Sequence, residues 1–138
     1  MSSARINVDQ LAVEVVHELE AYRDATVEIV EYAVKKTAKE TVEDIRENIK
    51  EAGIQGSGEY AKGWKAKKTP FGKHWGYAMT IYNKDKYRIA HLLEHGHAKR
   101  NGGRVKAYPH LKPAEELAEK NMIFYIKSGI AQIKGGGR

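Results

Sequence analysis

Between Val8 and Glu51 the chain contains neither proline nor glycine. Nothing in that stretch breaks i→i−4 hydrogen bonding, so the backbone is free to run as helix throughout. Apolar residues recur at Val8, Leu11, Val15, Leu19, Tyr22, Ile29 and Ala33, in steps of three and four with Thr26 filling one gap. The pattern resumes at Ala38, Ile45 and Ile49. This is the spacing of an amphipathic helix, either one long one or two nearly collinear ones. Unbroken, it would span about 66 Å, more than a small domain can cover. Two compatible readings follow: a core helix with a solvated acidic face, and a helix part of which packs against neighbouring subunits through its a/d-like spacing. Gly53 supplies the stop, and Ile54 the hydrophobic contact of a Schellman-type cap.

The remaining chain reads as α+β. Gln55 to Glu59 is a turn, after which Tyr60, Lys62, Trp64 and Ala66 alternate with Ala61, Gly63, Lys65 and Lys67, the period of a half-exposed strand. Thr69 to Gly72 breaks it. Trp75, Tyr77, Met79 and Ile81 then define one face of a second strand, and Asn83 to Lys86 turns into a short helix with Ile89, Leu92 and Leu93 on one face and Ala90 beside them. Gly96 follows, where a helix would end on a left-handed glycine. Asn101-Gly102, between HAKR and GRVKAY, predicts a two-residue hairpin turn with positive φ at both positions. Pro109 and Pro113 punctuate the exit, and Pro113 suits the first turn of a final helix to Ile133, with Ala114, Leu117, Ala118, Met122, Tyr125, Ile126 and Ile130 on its apolar side. The expected architecture is a long N-terminal helix and a C-terminal helix packed on one face of a small, mostly antiparallel sheet with a short inserted helix. Residues 1–134 would form a single domain, with 1–6 flexible and 135–138 a disordered tail.

Charge is unevenly distributed. Residues 1–56 carry 7 Lys/Arg against 12 Asp/Glu, whereas residues 57–112 carry 13 against 3. Such asymmetry points to nucleic acid or to charge-matched packing within or between subunits. Lys99, Arg100, Arg104 and Lys106 are the candidate contacts to a subunit or to DNA, facing the acidic residues Glu28, Glu31, Glu43, Asp44 and Glu47 of a neighbour in the subunit reading. There is no cysteine, so disulfides and thiolate metal sites are not available. No apolar run approaches the length of a membrane span, and the N-terminus lacks the apolar core of a signal peptide.

His91-Leu92-Leu93-Glu94-His95 matches the H-x-x-E-H zinc pattern, with His91 and His95 at i and i+4 and Glu94 as a general base. Gly96 truncates the helix that would hold them, and Glu115, Glu116 and Glu119 are the only carboxylates downstream. The favoured reading places His95 against the helix dipole at a C-terminus and Glu94 as an acceptor for loop backbone N–H groups. No metal or other cofactor is expected on this reading. The lysine-rich strands with their aromatics would bind nucleic acid by stacking and phosphate contact, or simply alternate between a core face and a wet face.

The string AHLLEHGHAKRNGGRVKAYPHLKPAEE, with SGEYAKGW (Ser57 to Trp64) upstream, resembles the neck and tail-completion proteins of long-tailed phages, a tail-component or head–tail joining family. Gly58, Tyr60, Trp64, Glu94, Gly96, His97, Pro109 and Pro113 carry the resemblance. It implies the same α+β arrangement and a structural virion protein without catalytic residues, in the neck or tail. Such a protein is made in the host cytoplasm and forms a homo-oligomeric ring that meets other neck or tail proteins. Nonspecific DNA contact is compatible with that role; a small nucleic-acid-binding domain and a metal-dependent hydrolase are the alternatives.

Overall fold

A computed structural model describes residues 8–54, 57–69 and 78–136 of the chain. The first helix, α1, is unbroken over Val8–Glu51, so the two-helix alternative falls away. Its end is the expected one. Gly53 takes φ 67°, its N–H reaches back to Lys50 O at 3.2 Å, and Ile54 packs against the core.

The next segment departs from the expected strand. Ser57–Lys62 forms a short helix, α2, and strand β1 begins only at Trp64, running to Thr69. Tyr60 and Trp64 are both inward, but on different elements, with ring centroids 5.9 Å apart edge to face. Gly63 is the joint between them. The Asn83 side chain occupies the space a Cβ would need there, with Oδ1 only 2.6 Å from that position. Asn83 Nδ2 donates to Tyr60 O at 2.9 Å, and Oδ1 accepts the Lys86 N–H at 2.7 Å. One buried amide therefore ties the end of α2 to the turn after the second strand, an arrangement that a two-residue period cannot reveal.

β1 pairs antiparallel with β2 (Ala78–Asn83), Trp64 opposite Asn83 and Thr69 opposite Ala78. Ile81 packs against the core as expected, while Trp75 and Tyr77 lie outside the described residues. Helix α3 (Tyr87–His95) is rotated from its expected setting. Ala90 and Glu94 are buried and Leu93 packs inward, whereas Ile89 and Leu92 are each 39% exposed. The two-residue strands β3 (His97–Ala98) and β4 (Arg104–Val105) form a second antiparallel sheet.

Helix α4 spans Lys112–Gly136, past its expected end at Ile133. It runs back along α1, with Tyr125 beside Glu40 and Gly129 against Ile29. The expectation that both long helices cover the sheet is therefore corrected: α1 packs on β1 and β2, and α4 packs on α1. A two-stranded sheet is too narrow for two helices, and α1 offers α4 an apolar stripe of matching length. The core joins Val42, Ile45 and Ile49 of α1 to Tyr60, Trp64, Ala90 and Ala114; each large side chain buried there contributes about 1.5–3 kcal/mol. None of the residues from Ala12 to Asp24 is buried or half-buried. Almost a third of α1 thus projects beyond its own fold.

Candidate assembly surface and the buried carboxylate behind it

Glu94 lies in the last turn of α3 and points inward. Its Oε1 accepts the N–H groups of His110 and Leu111, each at 2.8 Å, and Oε2 accepts that of Lys112 at 2.9 Å. These donors lead into α4, where the first N–H groups of a helix have no partner of their own. A carboxylate at that place also complements the helix dipole. The return contact runs from the Tyr108 N–H to Leu93 O at 2.7 Å, closing the end of α3. Pro109, between the two contacts, has no donor to satisfy.

His110 is fully buried at the centre of this junction. Its Nδ1 lies 2.6 Å from the Tyr108 carbonyl, an atom that can only accept, so Nδ1 carries a proton. Nδ1 also lies 3.2 Å from Glu94 Oε1, and Nε2 is 2.7 Å from the Tyr60 hydroxyl. Asn48 Nδ2 donates to the His110 carbonyl at 3.1 Å. Three helices thus meet at one residue, two positions before α4 begins. Burial by itself would raise the Glu94 pKa, but the three backbone N–H groups and His110 outweigh it and hold the carboxyl below its ordinary 4.5. Burial pushes the Tyr60 phenol up to about 12, and the Glu94 charge acts in the same direction.

The H-x-x-E-H string is consequently divided. His91 and His95 are exposed, their ring centroids 5.0 Å apart, while the carboxylate that would serve as base is buried and accepts three backbone N–H groups. His97 is half-buried, with Nδ1 enclosed and without a hydrogen-bond partner. Among the described residues no group of three or more His, Cys, Asp or Glu side chains could hold a metal ion.

Gly96 ends α3 with φ 70° and ψ 175°, not in the left-handed helical region but in an extended one that is essentially glycine's alone. A Cβ there would sit 2.5 Å from Val105 O. The glycine thus lets β4 cross directly over the helix end. The hairpin turn lies one residue earlier than expected. Gly102 N–H bonds Lys99 O at 3.2 Å, so Arg100 and Asn101 are the central residues, and positive φ falls on Gly102 and Gly103. Such a longer loop with glycine at its third position is a usual alternative to the two-residue turn. Lys99, Arg100, Arg104 and Lys106 are all exposed on this hairpin, with no carboxylate among residues 97–106. Gly58 is exposed with open space around it, and Pro113 is exposed in the first turn of α4.

The acidic residues on α1 are not equivalent. Glu28, Glu31 and Glu47 are exposed. Glu43 pairs with Arg46 at 3.3 Å, and Asp44 is half-buried, its pKa raised by burial and by Glu40 and Glu43. Arg46 has a structural duty, donating to Trp64 O at 2.8 Å and to Ala61 O at 3.2 Å. Farther along α1, Glu40 accepts the Tyr125 hydroxyl at 2.7 Å, which raises that phenol to about 12. His110, Asn48, Asn83 and Arg46 were not legible as site residues. Asn48, Asn83 and Arg46 each bond backbone atoms of another element, His110 meets the side chains of Tyr60 and Glu94, and no periodic pattern marks such partners.

The fold presents extended charged and apolar surfaces. The chain matches, over residues 14–96, the model of the family described as "Bacteriophage HK97-gp10, putative tail-component". That stretch is more than half of the chain, and the chain belongs to this phage tail-component family. The match takes in most of α1, then α2, β1, β2 and α3, and stops at Gly96; the basic hairpin, Pro109, Pro113 and α4 lie beyond it. No match was found among curated proteins or among solved structures.

Proposed function

We propose that this phage tail component is a ring-forming structural subunit of the head–tail junction, at the neck or in tail completion, and that it acts by surface complementarity without catalysis. The observation that carries the reading is the separation of charge on exposed surfaces. The hairpin offers Lys99, Arg100, Arg104 and Lys106, and α1 offers Glu28, Glu31 and Glu47. A head-to-tail contact that lays one copy's hairpin against the next copy's α1 matches these charges and closes into a ring. The non-catalytic part rests on Glu94, whose carboxylate is committed to three backbone donors. Light scattering combined with negative-stain images of the purified chain tests the proposal. Closed particles of uniform mass are expected, and a chain that stays monomeric at all concentrations and salts contradicts it.

A second reading draws on the same hairpin: cations without a neighbouring carboxylate suit DNA phosphates. Binding to random duplex that falls steeply with salt is its signature. Salt-insensitive binding, or none, removes it.

A further inference from the structure

The exposed N-terminal part of α1 is not a merely polar arm. Ala12, Val15, Leu19 and Tyr22 recur in steps of three and four, the a and d positions of a coiled coil. Leu19 is 64% exposed, Val15 49% and Tyr22 47%, a cost in bare apolar surface on a helix that otherwise buries this face. The stripe continues directly into Ile29 and Ala33, alongside the chain's own α4: Gly129 sits against Ile29, and Ala25 and Ile133 both line a cleft of about 620 Å³ between the two helices. The α1–α4 interface thus runs out while the apolar stripe goes on.

The occupant is identified by shape and charge. A continuous helical seam needs a helical partner, and the two-residue strands of the basic hairpin cannot supply one. In the register set by Ala12 and Val15, Glu18 falls at g and Arg23 at e. Two parallel copies in register therefore set Glu18 of one against Arg23 of the other, the ordinary g-to-e pairing. Among the described residues Arg23 pairs with its neighbour Asp24, at 3.3 Å and on the exposed surface. An antiparallel pair sets g against g and e against e, which brings like charges together.

We propose that the exposed N-terminal part of α1 is a homotypic assembly arm, packing Ala12, Val15, Leu19 and Tyr22 against the same residues of a second copy in a parallel, in-register coiled coil. The inference rests on the reading that copies of this chain assemble, and it adds which surface joins them and in which direction.

The chain has no cysteine, so Leu19→Cys in the full-length protein introduces a single thiol. Parallel arms in register hold two such residues within disulfide reach. Mild oxidation should give a disulfide-linked dimer for Leu19→Cys and monomer for Glu14→Cys, whose position faces away from the seam. Adding Glu18→Arg or Arg23→Glu to Leu19→Cys should lower the linked fraction, and the double reversal should restore it. Equal linkage at positions 14 and 19, or none at 19, overturns the proposal. Light scattering on Leu19→Asp separates it from the ring reading. A mass reduced from that of the parent chain is expected. An unchanged oligomeric mass overturns the arm and leaves the ring standing, whereas a parent chain that is itself monomeric overturns both.

Discussion

Replacing Glu94 tests whether the junction of α3, the hairpin and α4 is held from inside. Glu94→Ala removes the acceptor of three N–H groups at 2.8–2.9 Å. The His110 donor is buried and the Leu111 donor part-buried, so these two have little access to water. A buried donor left unpaired costs about 1–3 kcal/mol, and bonds to a charged acceptor are worth about 1.5–3 kcal/mol. Counting two enclosed donors, the loss should be about 3–5 kcal/mol, a large part of the stability of a domain this size. Glu94→Gln should cost less, about 1–3 kcal/mol, because one amide oxygen still accepts while the amide nitrogen now meets a backbone donor. The same residue sets a pH dependence. Its folded pKa lies below the ordinary 4.5, so its stabilisation is fully present above that pH and is lost as pH falls through the folded value. Urea denaturation followed by circular dichroism at neutral and acid pH measures both effects. A loss under about 1 kcal/mol for Glu94→Ala at neutral pH, or an acid dependence identical in Glu94→Gln, would refute the reasoning.

Gly96→Ala should destabilise by at least about 2 kcal/mol, from the glycine-only backbone angles and the Val105 carbonyl 2.5 Å from the new Cβ; an unchanged urea midpoint would show that the crossing relaxes freely. Gly129→Ala should fail to return the roughly 1 kcal/mol that helix propensity alone promises, because its Cβ would lie 2.6 Å from Ile29. Pairing it with Ile29→Ala should recover part of the loss, and strict additivity in that double-mutant cycle would show that the two residues do not touch. His91→Ala with His95→Ala should leave stability within about 0.5 kcal/mol, as for other exposed positions. Elemental analysis showing one tightly held zinc per parent chain, absent from the double mutant, would contradict that expectation.

What the sequence makes visible here is whatever repeats. The absence of helix breakers from Val8 to Glu51 and the three-and-four spacing locate α1 nearly to the residue, and Gly53 marks its end. Glu94 was readable as a backbone acceptor because Gly96 denies the zinc motif a helix to stand on. The failures share a different cause. Tyr60 and Trp64 sit two positions apart in an alternation that Gly63 divides between a helix and a strand, and only Asn83, twenty residues downstream, explains the joint. α3 was given the wrong inward face because a buried carboxylate is the rarer choice over two leucines, and the donors that compensate it come from residues 110–112. His110 carries no local signal at all: its partners Tyr60, Glu94 and Asn48 come from three different helices. The placement of α4 on α1 is likewise a matter of sheet width, which no single strand discloses.

The head-to-tail contact is tested most directly by particle mass. The measurement compares the parent chain, Arg100→Glu/Arg104→Glu, and that variant combined with Glu28→Lys/Glu31→Lys across a range of salt. Exposed ion pairs are worth about 0–1 kcal/mol each, so the hairpin reversal should lower the mass at moderate protein concentration without abolishing association. The compensating reversal should restore much of it, and added salt should weaken the parent assembly in the same partial way. Assemblies that keep their mass through the hairpin reversals and ignore salt would contradict the account and turn the hairpin toward another partner.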